Sequence, residues 1–421
     1  MMKVLINAYA VCPGMGSEPG VGWHWTTEIA KHCEVFVITE AEFKEKILDE
    51  VNKLPQKDNM HFFWNEVSPK VRKMCWNQGD WRFYRHYRKW QERTYKIAKH
   101  ICEEKDIDIL HQLNMIGFRE PGFLWKLSKK KNIPFVWGPI DAKEKFPEGY
   151  LSDLSLKHRI FMQVKSLISI LQLKYDSRVD RAARRATILI GASKESVESM
   201  RKYKNRNAIL INETACTISP DSDSQETVEK FCDGIHILWC GKIEIRKQLA
   251  LAIKTIGRLR EKRRKVTLHV AGSGNNAPYK SLAKSLGIEG NIKWYGAISH
   301  EEVQILMKKC HLFLFTSLAE GTPHVVLEAI QNRLPVICHD CCGMSAIVDK
   351  NIGRKIPVTN AEGSVDRFTA EVEELTDSPN ELQRLSDNCS ERRKALSWEK
   401  RAEQIVELYS RALSERKGKN V

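Results

Sequence analysis

The stretch HLFLFTSLAEGTPHVVLEAIQNRLPVICHD, residues 311–340, decides the fold. HLFLFTS has the continuous apolar run of a buried strand, and LPVICHD has a second one. Between them, Thr322 suits a helix N-cap and Pro323 suits the first helical position, where its missing N–H costs nothing. Strand, helix and strand in this order are typical of a parallel sheet covered by helices.

Two glutamates flank the start of this helix. Glu320 lies on the loop at the carboxyl end of the strand, and Glu328 lies one to two turns into the helix. Doubly wound sheets bind ligands at this end of their strands, and the free amides of a first helical turn favour a phosphate. Carboxylates beside an anion site must then accept hydrogen bonds from neutral donors. Sugar and ribose hydroxyls are the obvious candidates.

A second loop complements the first. GKIEIRK, residues 241–247, follows the strand GIHILWCG, with Gly241 at the turn and Lys242 and Lys247 on the loop and helix start. Two cations near helix N-termini could neutralise a diphosphate without a metal. The implied ligand is a nucleoside diphosphate sugar, with its phosphates on the lysines and its hydroxyls on Glu320 and Glu328.

The same alternation of strands and helices runs through the whole chain. A parallel sheet covered on both faces is expected in each half, giving an α/β protein of two doubly wound domains. The polar segment 216–230 is the predicted linker, and 246–264 is one predicted helix. The strand runs are KVLINAY, EVFVITE, DIDILHQL, IPFVWGP and ATILIGAS in the first half, and GIHILWCG, KVTLHVAG, NIKWYG, HLFLFTS and LPVICHD in the second.

Length and composition agree with this organisation. A chain of 421 residues with 42% hydrophobic residues is expected to form two soluble domains. No apolar run is long enough to cross a bilayer, and the N-terminus lacks the zones of a signal peptide. The 12 cysteines form no disulfide framework, so a reducing cytoplasm is predicted. The net charge of +15 favours anionic partners, although its commonest meaning is a solvated basic surface.

Taken together and in order, five segments of the second half resemble family 4 of the retaining GT-B glycosyltransferases. Two departures stand out: Lys242 replaces the usual Arg, which loses the bidentate fork, and Gln248 stands where the family commonly has Gly. The segments are GKIEIRK, LHVAGSG, WYGAIS, the Glu-x7-Glu motif EGTPHVVLE with the following AIQNRLPVICHDCCG, and the closing SWEKRAEQIVELYSRAL.

The resemblance implies a GT-B architecture of two Rossmann-like domains facing across a cleft. Residues 1–215 would form the acceptor-side domain and 216–397 the nucleotide-sugar domain, with a final helix at about 398–416 crossing back to the first. The implied reaction is retaining transfer of a sugar from a nucleotide sugar, taken to be a UDP-sugar from family frequency, to an acceptor hydroxyl. Neither a cofactor nor a metal is required. The implied catalytic residues are Glu320, Lys247 and Lys242, and those of the donor site are Gly20, Gly22, Gly241, Gly321, Thr322, Pro323, His324 and Glu328.

The N-terminal half resembles a subgroup of the same family. CPGMGSEPGVGW has neither the G-x-G-x-x-G spacing of a dinucleotide site nor a P-loop, which argues against NAD and ATP hydrolysis. Gly20 and Gly22 are the best match to glycines whose backbone approaches the donor diphosphate, although a tight turn alone would also require them. His111, after the strand DILH, is a possible acceptor-side residue, with a structural role as the alternative.

The helix WRFYRHYRKWQERTYKIAKH suggests contact with a membrane. Its aromatic residues fall on one face and Arg85, Lys89, Arg93 and Lys96 on another, so a core stripe with a basic solvent face is the simplest interpretation. The functional alternative is peripheral attachment to an anionic leaflet at the inner face of the cell membrane, with a glycan or lipid-linked acceptor. Nucleic acid is not an expected partner, because no nucleic-acid motif accompanies the helix.

Ordinary surface charge is the alternative role for Glu320, Glu328 and the two lysines, as it is for most charged residues. CHDCC, residues 338–342, superficially suggests zinc, but no second ligand pair exists and buried thiols are favoured. A nucleotide-sugar epimerase of the same fold and a non-catalytic nucleotide-sugar-binding module are the alternative functions.

Overall fold

The structure is a computed structural model that describes residues 1–77, 80–142, 146–151, 156–218 and 230–418. The chain divides into two compact units. The first comprises Met1–Glu144, Leu167–Thr214 and Trp398–Val421, and the second comprises Lys145–Ser166 and Ala215–Ser397. The sequence places a single boundary at residue 215, whereas this division also gives Lys145–Ser166 to the second unit. Most of the predicted linker 216–230 lies outside the described residues.

The first unit is built on a seven-stranded parallel sheet in the order β3-β2-β1-β4-β5-β6-β7. Its central strands are almost fully buried, as expected for strands covered on both faces, although β4 includes the buried polar residues His111, Gln112 and Asn114. The order reverses between β1 and β4, which makes the loops after these two strands the switch point where such sheets bind ligands. The strands are β1 (Lys3–Ala8), β2 (Glu34–Thr39), β3 (Met60–Trp64), β4 (Ile109–Asn114), β5 (Phe135–Ile140), β6 (Ile188–Gly191) and β7 (Ile209–Leu210).

Helices connect these strands. The predicted aromatic stripe of α4 is confirmed: Phe83, Tyr87, Trp90 and Thr94 are buried. The helices are α1 (Ser17–Ile29), α2 (Lys44–Val51), α3 (Pro69–Trp76), α4 (Phe83–Glu104), α5 (Leu124–Lys131), α6 (Leu156–Tyr175), α7 (Ser177–Arg185) and α8 (Lys194–Lys204). The division between the two units falls within α6.

The second unit has a six-stranded parallel sheet in the order β10-β9-β8-β11-β12-β13, which reverses between β8 and β11. Its strands are β8 (Ile235–Cys240), β9 (Val266–Ala271), β10 (Ile292–Gly296), β11 (Leu312–Phe315), β12 (Val336–His339) and β13 (Gly353–Ile356). Its helices are α9 (Leu249–Glu261), α10 (Ala277–Ser285), α11 (His300–Lys309), α12 (His324–Gln331), α13 (Met344–Ile347), α14 (Ala361–Asp377) and α15 (Pro379–Ala395).

The last helix, α16 (Trp398–Gly418), belongs to the first unit. Ala402, Ile405 and Tyr409 are buried there, and the Trp398 ring stacks on His24 with centroids 4.9 Å apart. The prediction that the closing segment packs back on the N-terminal domain is therefore confirmed. Among the described residues, no helix combines the length and the apolar content needed to cross a bilayer.

Candidate functional site

The loop after β8 leads into α9 through a tight turn. Ile245–Lys247 form a single 3₁₀ turn, and α9 begins only at Leu249, so the predicted helix start at residue 246 is wrong. Gln248 separates the two with a φ of 52°, in the left-handed region that favours glycine. Its side chain donates a hydrogen bond to the Ile245 carbonyl at 2.7 Å, which offsets part of the strain. Glycine, which the resemblance implies at this position, would adopt this φ without strain.

The loop after β11 runs beside the first loop and is tied to it. The Thr316 hydroxyl donates to the Lys247 carbonyl at 2.8 Å, and the Leu318 amide donates to the Arg246 carbonyl at 3.0 Å. The helix α12 starts at His324, with Pro323 at the N-cap in an extended conformation (ψ of 114°). The predicted N-cap at Thr322 is therefore wrong by one residue.

Glu320 lies at the centre of the two loops. Its Oε1 is 2.6 Å from Lys247 Nζ, 2.6 Å from Arg246 Nη1 and 2.6 Å from the Ser317 hydroxyl, which donates to it. The Glu320 and Lys247 side chains are 11% and 9% exposed, so this ion pair is nearly shielded from water. The sequence predicts Glu320 and Lys247 in one site, and the structure brings them together, adding Arg246 and Ser317.

The electrostatics of this cluster favour an ionised carboxylate. Burial would raise the pKa of Glu320, but the charges of Lys247 and Arg246 outweigh it and lower the pKa below the usual value. The Lys247 ammonium also packs over the Phe315 ring, 4.9 Å from its centroid. Arg246 also pairs with Glu244, which in turn pairs with Lys242, so three cations and two carboxylates leave a net positive charge beside the first turn of α12, where an anion is stabilised.

Lys242 and Glu328 lie apart from this cluster. The Lys242 side chain is 64% exposed, and its Nζ is 3.1 Å from Glu244 Oε1. Glu328 accepts a hydrogen bond from Gln304 at 3.3 Å and lies 3.7 Å from a ring nitrogen of His300. Both residues therefore keep the loop and helix positions that the sequence predicts, but neither contacts Glu320 directly.

The remaining residues predicted for the donor site lie on or beside the two loops. Gly343 packs so tightly on Gly321 that a Cβ at residue 343 would lie 2.6 Å from the Gly321 carbonyl oxygen. A Cβ at Gly272, in the neighbouring loop after β9, would lie 1.8 Å from the oxygen of Gly241. His324 is partly buried, and this burial lowers its pKa although the Glu328 carboxylate opposes the shift. Close backbone packing thus fixes the position of both loops.

Gly20 and Gly22 lie inside α1, where the loop after β1 folds over them. A Cβ at Gly20 would be 1.9 Å from the Met15 carbonyl oxygen, and one at Gly22 would be 2.1 Å from that of Ala10. No other residue fits these positions without moving the backbone. The structure therefore gives both glycines a packing role within the first unit.

His111 is fully buried in the first unit. Its Nε2 lies 2.7 Å from the Gly138 carbonyl and its Nδ1 lies 2.5 Å from the Tyr409 hydroxyl. Because a carbonyl only accepts, Nε2 carries the proton and Nδ1 accepts from Tyr409. Burial lowers the pKa of His111 to about 4, so the ring stays neutral at physiological pH. This arrangement favours the structural role over the acceptor-side one.

Glu18 is a further acidic residue at the switch point of the first sheet, absent from the sequence-based predictions. Its Oε1 accepts from the Ile116 amide at 3.1 Å, while its buried Oε2 has no hydrogen-bond partner among the described residues. Burial raises the pKa of Glu18 to about 7, and the nearby carboxylates of Glu213 and Asp141 add to this. No sequence signal marks Glu18. An acidic residue at this position in the sequence looks exposed, and only the fold buries its side chain.

The described residues contain no group of three or more His, Cys, Asp or Glu that could hold a metal ion. In the CHDCC segment, Cys338, Cys341 and Cys342 are buried thiols. The His339 ring interacts with the Ser364 hydroxyl at 3.0 Å. The segment therefore belongs to the core of the second unit.

The sequence is similar to those of known proteins. Residues 223–392 match the family described as glycosyl transferases, group 1. This segment is therefore similar to the group 1 glycosyltransferases. The chain is 29% identical over 169 residues to the MMP alpha-(1->4)-mannosyltransferase of Mycolicibacterium hassiacum, covering 40% of this chain and 41% of that protein. It is also 29% identical over 136 residues to the lipopolysaccharide glucosyltransferase WaaG of Escherichia coli K12, covering 32% and 35% respectively.

The chain therefore spans less than half the length of these two relatives. The structural similarity covers more of the chain than the sequence similarity does. A crystal structure of the Anabaena protein Alr3699/HepE in complex with UDP aligns with a TM-score of 0.59 at 16% identity, covering 97% of this chain and 100% of that one. Two parallel sheets with their helices thus form the GT-B architecture that the sequence predicts.

Proposed function

We propose that this protein transfers a sugar from a nucleotide-sugar donor to an acceptor hydroxyl with retention of the anomeric configuration. One observation carries the proposal: Glu320 is held by Lys247 and Arg246 at the carboxyl edge of the six-stranded sheet, beside the first turn of α12. The cations suit a diphosphate, and the carboxylate suits sugar hydroxyls. The UDP bound to the Anabaena protein of this fold supports a UDP-sugar as the donor.

The chemistry follows from the charges. Retention by two carboxylates requires a second carboxylate about 5 Å from the first, across the scissile bond. The carboxylate that shares Arg246 with Glu320 is that of Glu244, which is held by two cations, Lys242 and Arg246, so we propose front-face displacement instead. The leaving diphosphate takes the acceptor proton, while Lys247, Arg246 and the α12 amides stabilise its growing charge. Lys242 turns from Glu244 to the diphosphate, Glu320 positions the sugar and Glu328 binds the ribose.

A donor panel tests the proposal. UDP-, GDP- and ADP-sugars are screened by thermal shift and then by nucleotide release with sugar acceptors, with and without EDTA. We expect a UDP-sugar to give the largest stabilisation, and nucleotide release to be insensitive to EDTA. Stabilisation without release would indicate a non-catalytic binding module, and conversion of the donor alone into its epimer would indicate an epimerase.

Substitutions test the residues. Lys247→Ala should lower turnover by about 100-fold or more, because it removes a charge that stabilises the leaving group. Glu328→Gln should weaken nucleotide binding about tenfold through the lost charge-assisted hydrogen bond. Lys262→Ala is the matched control, because its Nζ also pairs with a glutamate, Glu373, at 2.6 Å but away from the two loops. Wild-type kinetics in both site variants would refute the site assignment.

We further propose that the acceptor is a glycan or a lipid-linked sugar and that the enzyme works at the inner face of an anionic membrane. Arg85, Lys89, Arg93 and Lys96 of α4 are all exposed, as the basic face requires. Each basic side chain near an anionic leaflet contributes about 1 kcal/mol. Replacing the four with Gln should weaken binding to anionic vesicles and leave nucleotide affinity unchanged. If the wild type and the fourfold variant bind anionic vesicles equally well, the basic face of α4 is an ordinary solvated surface.

A further inference from the structure

Large apolar side chains are exposed along α6. Among the described residues, 17 large hydrophobic side chains are exposed, and eight of them lie on this one helix. An isolated exposed apolar residue is normal, but a contiguous set of this size marks an interaction surface. The eight are Leu156 (70% exposed), Ile160 (51%), Phe161 (62%), Val164 (48%), Leu167 (56%), Ile168 (48%), Leu171 (46%) and Tyr175 (67%).

These residues form one face of the helix. At about 100° per residue, the eight positions fall within an arc of about 140°. The buried residues Ser169 and Leu173 lie on the opposite side of the helix. With about 1.5 Å of rise per residue, the exposed face is roughly 30 Å long.

Contacts on the buried side fix which way this face points. Leu173 is fully buried in the core of the first unit. Arg119 donates to Gln172 Oε1 at 2.6 Å and to the Ser169 hydroxyl at 3.2 Å. The helix cannot rotate its apolar residues inward without breaking these contacts, so they stay outside.

The charge on α6 selects the kind of surface that covers it. The helix contains the exposed cations Lys157, Arg159, Lys165 and Lys174 and no Asp or Glu. A second copy of this chain would bring two such basic helices together, with like charges opposing each other. An anionic lipid surface complements both the apolar face and the cations.

We propose that α6 lies in the interface of an anionic lipid bilayer, with its apolar face in the boundary between headgroups and acyl chains. Its length and composition suit a helix that lies in the plane of the membrane, since no described helix can span one. This inference deepens the proposed action at a membrane and rests on it. The role proposed for α6 also differs from that of α4. The basic face of α4 offers charge, but the helix has only one exposed large apolar residue, Tyr84.

The test is co-sedimentation of the full chain with vesicles. The vesicles contain phosphatidylglycerol and phosphatidylcholine in equal parts, or phosphatidylcholine alone. The test variant combines Ile160→Gln, Phe161→Gln and Ile168→Gln, all at exposed positions, so the core is untouched. We expect it to bind mixed vesicles at least about tenfold more weakly than the wild type.

A matched variant controls for lost surface hydrophobicity. Leu48→Gln, Leu286→Gln and Ile305→Gln change exposed apolar residues on other parts of the surface and should leave vesicle binding unchanged. Equal binding of the wild type and the α6 variant to mixed vesicles would overturn the proposal. So would a wild-type dimer in sedimentation velocity that the α6 variant dissociates, since a second copy would then cover the face. Absence of nucleotide-sugar turnover in the wild type would contradict the proposed transfer reaction. It would not contradict the membrane contact of α6, which the vesicle experiment tests separately.

Discussion

Each of the two sheets has a glutamate at its carboxyl edge, but the two carboxyl groups are in opposite electrostatic states. Glu320 in the second unit is held by two cations and a hydroxyl, and its pKa is lowered. Glu18 in the first unit accepts one backbone hydrogen bond, and its pKa is raised to about 7. The comparison teaches that the shared topology places a glutamate at the same edge of each sheet, whereas neighbouring side chains decide the charge of its carboxyl group.

The largest effect is expected from breaking the Glu320 cluster. Glu320→Ala leaves Lys247 nearly buried beside Arg246 without a carboxylate, which should cost about 2–4 kcal/mol of unfolding free energy. The wild-type contribution should be fully present above the unfolded pKa near 4.5 and be lost as pH falls through the lowered folded pKa. Urea unfolding of the wild type and the variant at neutral and acidic pH measures the lost free energy and its pH dependence.

The control for this experiment is Glu28→Ala. Its partner Lys31 lies 2.7 Å away, but that side chain is 44% exposed. Exposed pairs contribute less than about 1 kcal/mol. If Glu320→Ala lowers the free energy of unfolding no more than Glu28→Ala does, the cluster stabilises the protein no more than a surface ion pair.

The second effect is expected at Glu18 and has the opposite sign. Because the native state keeps its proton up to a pH of about 7 and the unfolded state only to about 4.5, wild-type stability falls as pH rises through this window. Glu18→Gln removes this penalty and still accepts from the Ile116 amide. At pH 8 the variant should be more stable by about 3 kcal/mol, at about 1.4 kcal/mol per pKa unit between about 4.5 and about 7. Thermal melting from pH 4 to pH 8 checks this, and parallel curves for the two proteins would contradict it.

The smallest effect is expected at Lys242, which sharpens the contrast between the two lysines of the loop after β8. Its pair with Glu244 is exposed, so Lys242→Ala should change the unfolding free energy by less than about 0.5 kcal/mol. The same change at Lys247 should cost more, because it leaves Glu320 buried with one cation fewer. Urea unfolding of the two single variants decides the point, and equal costs would mean that burial does not distinguish them.

Much of the fold follows from the sequence because buried parallel strands are continuous apolar runs. All ten predicted strands are present, while β3, β7 and β13 were not predicted. These three are edge strands, and most of their residues are only partly buried. β7 has two residues and β13 is half polar, so neither contains an apolar run. β3, with the sequence MHFFW, does contain one and was nevertheless not predicted.

The site was predictable only in part. Spacing suggests equal roles for Lys242 and Lys247, but the 3₁₀ turn and the left-handed Gln248 send Lys247 and Arg246 to Glu320 and leave Lys242 outside. Such a turn depends on the contacts between two loops that are distant in sequence. The sequence analysis did not single out α6, and only tertiary contacts such as that of Leu173 reveal that its apolar face points outward.

The hydrogen bond between His111 and Tyr409 has a consequence for how the protein is made. The ribosome releases the strands of the first unit early, but α16, which completes their core, emerges only after the whole second unit has been synthesised. Until then, the His111 ring and the surface that receives Ile405 remain uncovered in the nascent chain. A premature stop before residue 398 would therefore destabilise the first unit, although most of that unit lies near the other end of the chain.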